Sequence, residues 1–408
     1  MALSAAAVSS RPHRWVIAIA TFFMQLALGS VYAWSVFLSP VMAQYHTSRL
    51  AANLTFSLVL LALGITAGFG GYLNNRFGPR VIATAGGILY GLGVLLAAFA
   101  APHLLILYLT FGILGGIGVG LGYIVALAML LKWFPDRRGF ITGLAVAGFG
   151  GGALITGPLA AALIRLVGLG QTFLLLGLAY LMIIVVVAQF FRMAPEDYSP
   201  VNLTPSIRKQ TTRHGYNYTL GQVLRLPGWY TLWLMLALNV TAGAALISVA
   251  SPLAQQFTGV GVLTAALMVS VIALFNAAGR LFWGWLSDGI SRVTVFLCMF
   301  ILQMVSFALM SSINNFALLL IPAAIIALCY GGGFGTMPAF AADVFGSKHA
   351  GTIYGVMLTA WSAGGIVGPL LIASLPYKTA LYIIALIMLL SIALPLFARS
   401  LVSRPNGL

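Results

Sequence analysis

Stretches of 18 or more residues almost free of charge recur along the whole chain. Each is long enough to cross a bilayer hydrocarbon core of about 30 Å as a helix. Twelve are read, at 14–40, 50–75, 80–101, 104–131, 139–166, 170–192, 228–256, 262–287, 292–313, 316–342, 350–374 and 378–400. With 61% hydrophobic and 6% charged residues, the chain is not a soluble domain. The expected class is an all-α membrane protein of twelve transmembrane helices.

The net charge of +15 would fit a nucleic-acid partner if it formed a patch, but it does not. With the N-terminus placed in the cytoplasm and the spans alternating, sixteen of the twenty Lys and Arg fall on the cytoplasmic side. Arg49, Arg165 and Lys378 fall outside, and Arg280 lies within a span. This is the positive-inside bias, and it puts both termini in the cytoplasm. A basic face of this kind attracts anionic lipid, and no nucleic-acid motif accompanies it. Cys298 and Cys329 both sit inside spans and read as packing residues, not a disulfide pair. The basic start before an apolar stretch resembles a signal peptide. The stretch is too long for one, and it reads as an uncleaved first span.

Order and spacing also show an internal repeat. Phe134, Gly139, Gly143 and Gly157-Pro158 are echoed by Phe345, Gly351, Gly355 and Gly368-Pro369, about 212 residues further on. Six crossings return a chain to the side where it began, so the halves are parallel. The expected organisation is two pseudo-symmetric six-helix bundles, 1–192 and 228–408, joined by a polar cytoplasmic linker at 193–227. A short surface helix is expected near Leu220–Leu224. The Gly-Pro pairs are expected to bend their helices.

Arg280 is the one charge placed well inside a hydrophobic segment. A guanidinium stays protonated in any protein, so it cannot neutralise itself to enter lipid. Such a charge marks a functional site by default. Asn276 lies four residues earlier, one turn away on the same face, and the pair suits a carboxylate. Snorkelling of Arg280 to the interface is the plainer account, but it leaves Asn276 unexplained. Other candidate wall residues are Tyr32, Tyr123, Tyr330, Phe334, Trp361 and Tyr382. Each has a competing role in helix packing or the interfacial aromatic belt. Leu28 and Ala145 are candidates for shaping a cavity, with core packing as their competing role. The Gly115–Gly122 run resembles a dinucleotide loop only on paper. It lies in a continuous apolar segment, and small residues at this spacing let helix backbones approach closely.

Certain motifs resemble known families. Gly71-Tyr-Leu-Asn-Asn75-Arg76-Phe-Gly78-Pro-Arg80 is similar to the cytoplasmic loop signature of the major facilitator superfamily, with Asn75 where that family has Asp. Its second-half echo runs from Gly284 through Asp288 to Arg292. Gly29-Ser30-Val31-Tyr32-Ala33-Trp34, together with Trp133-Phe134, Arg137-Arg138, Gly143, Ala145 and Ala147-Gly148, resembles the motifs of the monocarboxylate transporter family. Thr219, Leu224-Arg225, Pro227 and Trp229-Tyr230 are similar to the bacterial oxalate/formate antiporter branch.

The resemblance implies two bundles that rock about a central site and carry a small monocarboxylate of the L-lactate type by alternating access, coupled to a proton. The alternative is an organic-anion exchanger of the oxalate/formate type without net proton movement. The expected location is a bacterial inner membrane, with membrane lipid, the substrate and a proton as partners. No cofactor, metal or obligatory protein partner is expected. Two departures bear on the proton: Asn276 fills the family's acid position, and Leu28 fills its first-span lysine. In the antiporter branch a lysine is expected where Trp361 stands. All five acids and all five histidines fall outside the spans or at their ends. No metal cluster or nucleophile-base pair points to an enzyme.

Overall fold

The computed structural model describes residues 14–134, 138–194, 217–346 and 349–402. Most of the expected linker, the loop residues Asp136 and Arg137, and the Asn75 side chain lie outside what is described. Among the described residues the chain is all-helical. Twelve helical segments are long and apolar enough to span a membrane. Spans 1–6 are Arg14–Gln44, Arg49–Asn74, Pro79–Ala97, Leu104–Leu130, Gly143–Val167 and Leu169–Ala188. Spans 7–12 are Pro227–Thr258, Val262–Gly289, Arg292–Met310, Phe316–Phe345, Ala350–Ser374 and Tyr377–Ala398. An even number of crossings puts Arg14 and Val402 on one face, called here the terminal face; the other is the far face. The expected surface helix is present at Leu220–Val223, closed by a capping box between Thr219 and Gln222.

Span 3 packs against spans 4 and 6 in the first half, and span 8 against span 10 in the second. Across the halves, span 5 meets span 8, span 2 meets span 11, and span 1 meets span 7. Glycines set these distances. Within Gly115–Gly122 the bare positions face two neighbours. A Cβ at Gly116 would come within 2.6 Å of the Val59 carbonyl of span 2, and one at Gly118 within 2.3 Å of the Tyr90 nitrogen of span 3. Helix association in lipid rests on such close contact. Gly118→Ala is therefore expected to destabilise the bundle by about 1–3 kcal/mol through overpacking, read as a lower thermal midpoint in detergent. An unchanged midpoint would mean that spans 3 and 4 part freely.

The helix breaks fall at residues other than the prolines. Pro158 and Pro369 lie inside continuous helices, Ala153–Val167 and Thr359–Ser374. Span 5 is interrupted at Gly152, before its proline, where a Cβ would meet the Gly29 carbon of span 1 at 2.2 Å. Span 11 is interrupted at Leu358. Span 1 tightens to a 3₁₀ turn at Ser30–Ala33, and this turn carries Tyr32.

Candidate functional site

Arg280 sits deep between the halves, with 2% of its surface exposed. Snorkelling is thereby excluded. Its seat is made by backbone contact between spans 8 and 10. Cβ atoms at Gly331 and Gly335 would fall 2.1 Å from the Asn276 carbonyl oxygen and 2.2 Å from the Arg280 carbonyl oxygen. With both turns pressed against a neighbouring helix, the two side chains project from a fixed base. From the first half, Gly150 of span 5 approaches so closely that a Cβ there would lie 3.2 Å from Arg280 Nε.

Arg280 Nε donates to Asn276 Oδ1 at 3.4 Å, a long bond. Because Nε can only donate, the amide must present its oxygen to the arginine. Asn276 Nδ2 then points elsewhere, and it has no protein partner. Neither do Nη1 and Nη2 of Arg280. The guanidinium lies against rings instead, 5.0 Å from the Phe334 centroid and 5.7 Å from that of Phe149. Ring attraction of this kind stabilises a cation by about 0.5–2 kcal/mol, well short of a counter-ion.

The rings form a cage. Trp361 stands 4.4 Å from Phe334, 5.2 Å from Tyr123 and 5.5 Å from Phe149, centroid to centroid. Its Nε1 donates to the Tyr330 hydroxyl at 3.1 Å. That hydroxyl is 2.7 Å from the hydroxyl of Tyr32, which joins span 10 to span 1 across the seam. Tyr330 has room because Gly243 of span 7 is bare; a Cβ there would overlap its ring at 2.2 Å. The hydroxyls of Tyr123 and Tyr354 lie close to the guanidinium and to each other, without a hydrogen bond of good geometry to either.

Of the expected wall residues, Tyr32, Tyr123, Tyr330, Phe334 and Trp361 thus converge with Arg280 and Asn276. Leu28 packs over Gly122 beside Tyr123, and Ala145 is buried one turn from Phe149. Tyr382 is a correction. It is 53% exposed on the outside of the bundle, with Ser311 and Ser312 as neighbours, because it occupies the lipid-facing side of span 12. Phe149 and Tyr354 were missed from sequence. Phe149 lies among Gly148, Gly150, Gly151 and Gly152, where the glycines explain the segment by packing alone. Tyr354 lies seven residues from Trp361 and so on the same helical face, a spacing that could have found it. The nearest acids of span 8 and its neighbours lie further along. Asp288 and Asp343 both pair with Arg292, at 2.9 and 3.1 Å, at the terminal face.

Twelve apolar spans meeting around a buried cation and a cage of rings define a multi-pass membrane protein, and its relatives place it among transporters, not enzymes. The sequence profile of the Major Facilitator Superfamily matches residues 15–369 and, separately, 232–407, and the chain belongs to that family. It is 33% identical over 358 residues to the uncharacterized MFS-type transporter YhjX of Escherichia coli (strain K12), covering 86% of each chain. It is 28% identical to the oxalate:formate antiporter of Oxalobacter formigenes, covering 96% of this chain and 93% of that one. Against monocarboxylate transporter 13 of Rattus norvegicus it is 26% identical, with 87% and 80% covered. A bacterial homologue of the human lysosomal transporter Spinster, solved inward-facing and unoccupied, superposes with a TM-score of 0.74 at 15% identity. That structure covers 98% of this chain and 99% of its own, and it bears on the fold alone.

Proposed function

We propose that the protein carries small monocarboxylates of the L-lactate class by alternating access across a bacterial inner membrane, both termini facing the cytoplasm. The observation that carries this reading is the pair of unpartnered Nη atoms on a guanidinium that is 2% exposed. A buried charge without a partner costs several kcal/mol, and a carboxylate removes that cost. Its two oxygens match the planar fork of Nη1 and Nη2. The neighbouring Asn276 Nδ2 and the hydroxyls of Tyr123 and Tyr354 can donate as well. A single cation fits a single negative charge, and the Phe149, Phe334 and Trp361 rings fit a small apolar remainder. The names of the relatives, an oxalate:formate antiporter and monocarboxylate transporters, point to short carboxylates as well.

A second reading rests on Asn276. An amide cannot release a proton, so nothing beside Arg280 titrates when the substrate departs. The empty carrier then reorients with a bare cation, and anion exchange outpaces net flux. Labelled L-lactate uptake into proteoliposomes distinguishes the two. Proton-coupled transport requires faster net uptake under an inward proton gradient. The exchanger reading requires stimulation by internal unlabelled acid and indifference to pH. Absence of saturable uptake of L-lactate, pyruvate, acetate and formate would end the monocarboxylate assignment.

A further inference from the structure

The 3₁₀ turn of span 1 is held from three directions. Ser30 Oγ lies 2.6 Å from the Tyr90 hydroxyl of span 3. Tyr32 reaches across the seam to Tyr330. Immediately after the turn, Trp34 Nε1 donates to Asn53 Oδ1 of span 2 at 3.1 Å. Asn53 is fully buried, and its amide divides its bonds between the halves. Oδ1 accepts within the first half. Nδ2 donates to Ser248 Oγ of span 7 and to the Pro369 carbonyl of span 11, each at 3.0 Å. The donor pattern is consistent, since Ser248 spends its own proton on the Ala245 carbonyl at 2.8 Å and is left with lone pairs to accept. One turn nearer the far face, Arg49 bonds the carbonyls of Ala373 and Leu375 and lies 4.1 Å from the Tyr377 ring centroid.

On the other side of the cage, two buried polar side chains stand out. Tyr354 lies seven residues before Trp361 on span 11, and Gln25 seven before Tyr32 on span 1, so both point toward the terminal face. Both amide atoms of Gln25 are buried without partners, and the Tyr354 hydroxyl makes no hydrogen bond of good geometry. Among the described residues, hydrogen bonds between the halves lie at the level of the cage or between it and the far face; Ser362 Oγ to the Leu61 carbonyl at 2.8 Å and Ser270 Oγ to the Leu154 carbonyl at 2.9 Å add to those of Asn53, Tyr32 and Arg49.

We propose that Asn53 is a positioning residue for transport, the latch that holds the far mouth shut and, through Trp34 and the Ser30–Ala33 turn, holds Tyr32 against Tyr330. Opening the far mouth separates spans 1 and 2 from spans 7, 10 and 11. The two Nδ2 bonds and the Tyr32–Tyr330 bond then break together, and water replaces them. Removing the amide favours the far-open state, and two lost bonds correspond to a shift on the order of 10-fold. The inference concerns the gate and does not depend on which acid is carried.

The test is cysteine labelling without substrate, in sealed vesicles of each orientation. Cys298 and Cys329 are first replaced by serine, and Ser251→Cys is introduced one turn beyond Ser248 on span 7. A membrane-impermeant maleimide should label this cysteine slowly in the parent. In Asn53→Ala it should label on the order of 10-fold faster, from the far face only. Ser248→Ala, which removes one cross-half acceptor and spares Asn53, should give an intermediate rate and guards against misfolding of the first variant. Parental rates in both variants would overturn the latch. So would an equal gain from both faces, which would mean loosened packing.

Discussion

Arg280→Met is expected to abolish carboxylate uptake while raising the thermal midpoint of the substrate-free protein. The two effects share one cause. The guanidinium is buried, its Nη atoms have no protein partner, and rings and a long bond to Asn276 face it. Replacing buried charge by an apolar side chain of similar length commonly stabilises a fold by about 1–4 kcal/mol, and methionine adapts well to an irregular cavity. Binding moves the other way. Two charge-assisted hydrogen bonds, each about 1.5–3 kcal/mol, correspond to a loss on the order of 100-fold or more in affinity. A scaffold role for Arg280 predicts the opposite pairing, with lower stability and a parallel loss of activity. Thermal unfolding in detergent and initial uptake rates, measured on the same preparation, separate these outcomes. Arg280→Lys refines the result: it keeps the charge and loses the fork, so uptake should fall severely without the gain in stability. Wild-type kinetics in that variant would refute two-point recognition.

The scaffold could be read from the chain because its cause is local. Lipid demands uninterrupted apolar length, and twelve such lengths are visible one at a time. Arg280 and Asn276 were legible for the same reason, since helical periodicity alone puts them on one face. The cage was legible only in part. Tyr32, Tyr123, Tyr330, Phe334 and Trp361 come from four spans in two halves, and no local spacing says that five rings will meet. Phe149 was hidden by its glycines, which have a sufficient explanation in helix packing. Tyr382 failed because a tyrosine on an apolar helix carries no mark that tells the lipid side from the seam. The helix breaks show a similar limit. Proline is an obvious signal, yet Gly152 interrupts span 5, where the chain must let the backbone of span 1 pass. That requirement belongs to the pair of helices.

Asn276→Asp should turn a pH-indifferent binding site into an acid-gated one. The amide oxygen already lies 3.4 Å from Arg280 Nε, so a carboxylate at the same position would face the guanidinium at ion-pair distance with little rearrangement. The guanidinium beside it favours the charged form of the acid. The cation then has an internal counter-ion, and a substrate carboxylate must compete with it. At neutral pH, affinity should fall by about 10-fold or more, in line with one strong charge-assisted bond of about 1.5–3 kcal/mol. Below the pKa of the new acid the proton releases Arg280, and binding should recover. The sign is fixed by linkage: substrate binds the protonated form, so affinity rises as pH falls, and one proton enters with each anion. Uptake by the variant should become strongly stimulated by an inward proton gradient, and exchange should lose its advantage over net flux because the empty carrier is no longer a bare cation. Substrate titrations between pH 5 and 8, with flux measured under imposed gradients, read both effects. A variant that binds as tightly as the parent at neutral pH, with the same pH profile, would show that position 276 does not face the charge that receives the substrate.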